Sequence, residues 1–144
     1  MLFLNLFMGG LLTHLITAFI GSLIIINLFQ KEKWKYLFGI AFALGHLIPD
    51  LIDFGITGIL NRTLNPAEII KIPLYDILWW IGHTPLHWII FGLFVFVVYF
   101  LLYSFKKIPK KDFFNLIILL ICFLSGVAIH LVIDLLIIEK SYWI

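Results

Sequence analysis

The chain has 144 residues, of which 63% are hydrophobic and 12% charged, and its formal net charge is +2. A mean hydropathy of +1.14 lies outside the range of soluble globular domains and points to a membrane protein. The basic residues form short flanks between apolar runs with no extended basic face, which excludes a nucleic-acid footprint.

Four apolar runs, Leu2–Phe29, Tyr36–Leu60, Ile77–Phe105 and Phe113–Ile138, each exceed the ~20 residues that cross a bilayer as a helix. They predict an all-α integral membrane bundle of four transmembrane helices, forming a single domain over residues 1–144. The first run has no basic leader and no cleavage-like tripeptide after it, so it reads as a retained helix; it carries His14. The second run ends in His46, Pro49, Asp50 and Asp53. In the connection after it, Asn65-Pro66-Ala67-Glu68 reads as an N-cap, a proline at the first helical position and an acid in the first turn. The third run opens on Trp79 and Trp80, read as headgroup-level anchors, and carries His83 and His87 around Pro85. The fourth carries His130, Asp134 and the single cysteine, Cys122, which excludes an intramolecular disulfide framework. Gly9-Gly10, Gly21-Ser22 and Ser125-Gly126 are candidate points of close helix approach.

Lysines concentrate in the first connection (Lys31, Lys33, Lys35) and the third (Lys106, Lys107, Lys110, Lys111). The positive-inside rule makes these two cytoplasmic and places both termini outside a cytoplasmic (inner) membrane. At ~1.5 Å per helical residue, His14, Asp50, Asp53, His83, His87, His130 and Asp134 all fall roughly 22–34 Å from the nearest cytoplasmic lysine. Four helices that need not have agreed thus bring ligand-type side chains to one layer, in the outer half of the bilayer.

These side chains also recur at helical spacing. Chance gives roughly a third of one histidine followed four residues later by His or Asp, where helical neighbours meet. The chain has three such pairs, His46/Asp50, His83/His87 and His130/Asp134, and Asp50/Asp53 adds two carboxylates three apart. An ionisable group inside a membrane helix costs several kcal/mol or more unless it meets a partner, a cavity or an ion. Mixed imidazole and carboxylate donors suit a divalent metal, zinc first and manganese or iron as alternatives, and their number allows a two-metal or three-metal site. The sequence therefore predicts metal ligation by His14, Asp50, Asp53, His83, His87, His130 and Asp134, with His46 as a supporting partner. Asp53 is the expected general base, and Pro85 loosens the turn between His83 and His87.

The ordered motifs Thr13-His14-Leu15, Gly45-His46-Leu47-Ile48-Pro49-Asp50-Leu51-Ile52-Asp53, His83/His87 and His130-Leu131-Val132-Ile133-Asp134 resemble those of the YdjM-like inner-membrane metal-dependent hydrolases. The resemblance implies hydrolysis and would make His14, Asp50, Asp53, His87, His130 and Asp134 metal ligands or their immediate partners. The sequence departs from the family pattern at two places. The third element, usually His-Arg-Gly-x-Thr-His-Ser, is here His83-Thr84-Pro85-Leu86-His87-Trp88, lacking the Arg and Ser and one residue shorter. Two residues, where the family has one, separate Asp50 from Asp53.

The leading expectation is a membrane-embedded metal-dependent hydrolase that cleaves a phosphoester or acyl bond of a lipid-like substrate with a metal-activated water. The competing expectation is a metal-ion or proton transporter using the same cluster, which with four spans per chain would have to be at least a dimer. A haem protein is disfavoured by the adjacent carboxylates. A purely structural membrane subunit predicts a metal-free protein that stays folded when Asp50 and Asp134 are neutralised.

Overall fold

A computed structural model describes the backbone of residues 2–137 and the side chains of residues 12–136. Among these residues the chain is all-helical: α1 Leu2–Leu28, α2 Lys35–Asp50, a π-helical turn Leu51–Gly55, α3 Ile56–Asn61, α4 Pro66–Ile69, α5 Pro73–His83, α6 Pro85–Ser104 and α7 Lys110–Ile137. Three helical stretches are long and apolar enough to cross a membrane, Lys35–Asn61, Pro85–Ser104 and Lys110–Leu136; Leu12–Leu28, within α1, is a shorter apolar one. Helices suit such a segment because every backbone donor and acceptor is satisfied within it, away from water.

Polarity is inverted relative to a soluble protein. The interior holds His14, His46, Asp53, Thr57, His83, Asn115, His130 and Asp134, while Phe19, Ile59, Leu93, Phe94 and Leu136 are exposed. On α6 only Gly92 is buried, and Leu86, Ile89, Ile90, Leu93, Phe94 and Val97 are exposed apolar side chains. An apolar surface of this extent is covered by a bilayer, whose chains solvate it without cost.

α2 is the central element, packed between α1 and α7; α6 lies outside them against α7. The α2–α7 crossing is close because glycine stands on both sides of it. A Cβ at Gly45 would overlap the Phe123 carbonyl, and one at Gly126 would overlap the carbonyl of Phe42. Gly21 similarly admits the Phe42 ring, which fits two of the close-approach pairs read from the sequence; the side-chain environment of Gly9-Gly10 lies outside the described residues. Beside the crossing, Phe38, Ala41, Phe42 and Cys122 form a dry core against Ile25, Phe29 and Ile118, with Cys122 as a small packing residue.

Two irregularities prepare the site. Pro49 has no N–H to give to the α2 ladder, and the helix resumes through one π-helical turn that holds Asp53. The expected third span is interrupted: α5 begins at Pro73 and stops at His83, Thr84 is extended (φ −89°, ψ 115°), and α6 starts at Pro85. The residue before a proline is pushed out of helical geometry, and Thr84 obeys that rule. α5 instead packs against the π-turn and α2, where Gly82 lets it approach the backbone of Pro49. The short α4 starts as its residues suggest, with the Asn65 side chain accepting a hydrogen bond from the Ala67 N–H and Pro66 at the first position.

Candidate metal centre

The side chains that converge come from α1 (His14), α2 and the π-turn (His46, Asp50, Asp53), α5 (His83) and α7 (His130, Asp134). His14, His46, Asp53, His83, His130 and Asp134 are all buried, whereas the Asp50 side chain keeps 22% of its surface exposed.

The two imidazole nitrogens His83 Nε2 and His130 Nε2 have Asp134 Oδ2 beside them and, further off, Asp50 Oδ1. The first three are mutually close: 3.3 Å between the imidazole nitrogens, 3.1 Å from His130 and 3.3 Å from His83 to Asp134. Asp50 stands further off, 3.6 Å from His130 and 3.8 Å from His83. Ligands bound tetrahedrally at about 2.0–2.1 Å are separated from one another by about 3.3 Å, so the set has the dimensions of a first-row metal site. The His130/Asp134 pair serves it through the expected one-turn spacing on α7.

Hydrogen bonds orient the donors. His83 Nδ1 donates to the Trp79 carbonyl at 3.2 Å, and His46 Nδ1 to the Gly126 carbonyl at 3.2 Å. A carbonyl only accepts, so each ring carries its proton on Nδ1 and presents the Nε2 lone pair inward. Asp53 adds a second acceptor beside His83 Nδ1 at 3.5 Å, and its other oxygen accepts from the Phe54 N–H. Metal-ligating histidines are commonly oriented by a carboxylate or carbonyl on the other ring nitrogen, and His83 has both. Asp53 thus lies behind the His83 ring, and of the two carboxylates Asp50 is the partly exposed one. Trp79, expected at the headgroups, is buried and stacked on His83 with ring centroids 4.8 Å apart; Trp80 is exposed.

His87 does not join the cluster. A helix leaves its last four carbonyls without partners inside it. At the end of α5 the Ile81 and Gly82 carbonyls, which have no helical N–H to meet, accept from His87 Nδ1 and Trp88 Nε1, while the Trp79 and Trp80 carbonyls also accept from His83 Nδ1 and Thr84 Oγ1. His87 therefore caps the break that aims His83. The four-residue spacing of the two histidines presumed an unbroken helix, and Thr84 ends it.

A second group sits behind the first. His14 Nδ1 lies 3.3 Å from His46 Nε2, and His14 Nε2 lies 2.9 Å from Asp134 Oδ1. His14, His46 and His130 each bring a potential ligand atom within 4.8 Å of the other two, as Asp50, His83 and His130 do on the other side. Sequence reasoning gave His46 only a supporting place; its signal was the one-turn spacing to Asp50, but its ring turns to His14. These buried His and Asp groups are arranged so that they can hold a metal ion. The chain matches no family model, no curated protein and no solved structure.

Proposed function

We propose that the protein is a membrane-embedded metal-dependent hydrolase. Four helices, α1, α2 with its continuation, α6 and α7, span a cytoplasmic membrane with the cluster toward the outer leaflet, and the chain is related to the YdjM-like hydrolases whose motifs it resembles. The observation that carries this reading is the four-donor set of His83, His130, Asp134 and Asp50, three compact and one looser and partly exposed. Structural zinc sites close all four positions with firm protein ligands, whereas hydrolytic sites keep one position for water or substrate. With Asp50 the loosest and the only partly exposed member, three residues would hold an ion and the side next to Asp50 would be left for water or substrate.

A divalent ion, zinc by donor chemistry, would supply Lewis acidity and a more acidic water there. His83, His130 and Asp134 would hold it, and Asp53 and the Trp79 carbonyl fix the His83 ring. Asp50, beside the open corner, accepts the proton of the attacking water. The surrounding surface is apolar on every helix face that the core leaves free, which suits delivery of a lipid-like substrate from the bilayer rather than from water.

The test is hydrolysis of phosphodiester, phosphomonoester and acyl-ester lipids by zinc-loaded protein in nanodiscs in ¹⁸O-water. The expected result is label in the released acid, with at least ~100-fold loss in Asp50→Asn at retained metal content. Zinc uptake into vesicles with no cleavage of any lipid would contradict the reading and favour transport.

A further inference from the structure

At the other end of α7 from the cluster, the α6–α7 connection forms a cavity of about 580 Å³, with Lys106, Lys107 and Lys110 in its lining beside the hydroxyl residues Tyr103 and Ser104. That is the size of a small-molecule site. The turn is fixed by its own backbone: the Lys106 N–H donates to the Tyr103 carbonyl at 2.9 Å and the Lys107 N–H to the Leu102 carbonyl at 2.8 Å, with Lys106 in the left-handed region at φ 53°. Two consecutive lysines thus border the cavity, and Lys110 opens α7 across from them. Among the described residues no carboxylate pairs with these three lysines, and Asp112, in the first turn of α7, is not in the lining. Three ammonium groups gathered in one cavity repel one another unless an anion joins them.

We propose that this cavity seats the phosphate of one anionic phospholipid, neutralised by Lys106, Lys107 and Lys110, with the Tyr103 and Ser104 hydroxyls as further donors. The connection joins two stretches long and apolar enough to cross a membrane, Pro85–Ser104 and Lys110–Leu136, so the cavity lies at a bilayer surface. Next to it Leu101 and Leu102 on α6 and Phe114 on α7 are exposed apolar side chains, a surface that acyl chains cover and an aqueous anion does not. The Lys110 ammonium stands 5.9 Å from the centre of the Phe114 ring, where charged cavity and apolar surface meet. At ~1.5 Å per residue Lys110 is roughly 30 Å from His130 along α7, so this lipid is a resident of a separate site and not the substrate of the cluster. The proposal does not rest on the metal reading.

The test is native mass spectrometry of detergent-purified protein titrated with equal amounts of phosphatidylglycerol and phosphatidylcholine of the same acyl chains. Wild type is expected to retain one phosphatidylglycerol per chain in preference to phosphatidylcholine. At about fivefold per lysine near an anionic headgroup, Lys106→Gln/Lys107→Gln/Lys110→Gln is expected to lose roughly 100-fold in that affinity. Lys31→Gln/Lys33→Gln/Lys35→Gln makes the same charge change in the other lysine-rich connection and is expected to stay within about threefold of wild type. Equal losses in the two triple variants would show a diffuse attraction to basic flanks and overturn the site, as would a wild type without preference. Release of the lipid by millimolar inorganic phosphate, but not by sodium chloride of equal ionic strength, would assign the cavity to a free anion and overturn the lipid. Should the first triple variant not fold, Lys106→Gly, which suits the left-handed turn, is read in its place: about fivefold weaker binding is expected, and unchanged binding would overturn the proposal.

Discussion

Among the histidines, residue type announced the chemistry, but only local backbone geometry assigned the roles. His83 and His87 have the same spacing credentials in the sequence, and a break at Thr84 sends one into the cluster and the other to a carbonyl at the end of α5. His87→Ala is therefore expected to keep the full metal content while losing about 0.5–1.5 kcal/mol of stability, because the hydrogen bond to the Ile81 carbonyl is lost. Metal analysis and thermal melting of the variant check the two halves separately; loss of metal would return His87 to the ligand set. Of Asp50 and Asp53, two carboxylates three apart, the sequence reading makes both ligands and chooses Asp53 as the general base. The π-turn after Pro49 puts Asp50 at the ligand nitrogens and Asp53 behind His83. Asp53→Asn is accordingly expected to bind metal 10–100-fold more weakly while reaching the same stoichiometry at saturation. A drop in saturating stoichiometry would make Asp53 a ligand.

Helices were legible from composition, because apolar runs longer than a bilayer's thickness have few other ways to satisfy their backbone. Their interruptions were only half legible: Pro85 marked a weak point, but nothing in the sequence pattern indicated that α5 packs back against the π-turn. The α2–α7 crossing rests on Gly45 and Gly126, of which Gly126 stood out as a small-residue pair with Ser125, and Gly45 lay hidden within a motif read for its chemistry. Each glycine faces carbonyl backbone, which cannot rotate away as a side chain can. Gly45→Val and Gly126→Val should each cost at least about 1–3 kcal/mol by overpacking and pull the α7 ligands from those of α2. Gly55→Ala is the matched control. Its Cβ would meet only the Leu51 side chain, at 3.7 Å, so it should be neutral within about 1 kcal/mol. Thermal melts in one detergent rank the three; equal effects would show that the crossing is not where the helices are held.

At the scale of the molecule the composition settled the class, and the inverted burial, polar groups inside and apolar ones outside, agrees with it. The proposed topology comes from the lysines alone. With Cys122 replaced, single cysteines in the Lys31–Lys35 connection should react with a membrane-impermeant maleimide only after the membrane is opened from the cytoplasmic side; labelling in intact cells would invert the orientation. Of the residues read from the sequence as one layer, all but His87 meet in one cluster, with contacts from 2.9 Å (His14 to Asp134) to 3.8 Å (His83 to Asp50). That concentration of buried imidazole and carboxylate is costly unless an ion compensates it, and on this account the folded bundle is the metal-bound one. The most direct test is elemental mass spectrometry of detergent-purified protein, comparing wild type with a His130→Ala/Asp134→Ala double variant that elutes as a single folded species. The account predicts stoichiometric zinc, manganese or iron in wild type that disappears in the variant. A wild type that stays metal-free after reconstitution with divalent ions would contradict it.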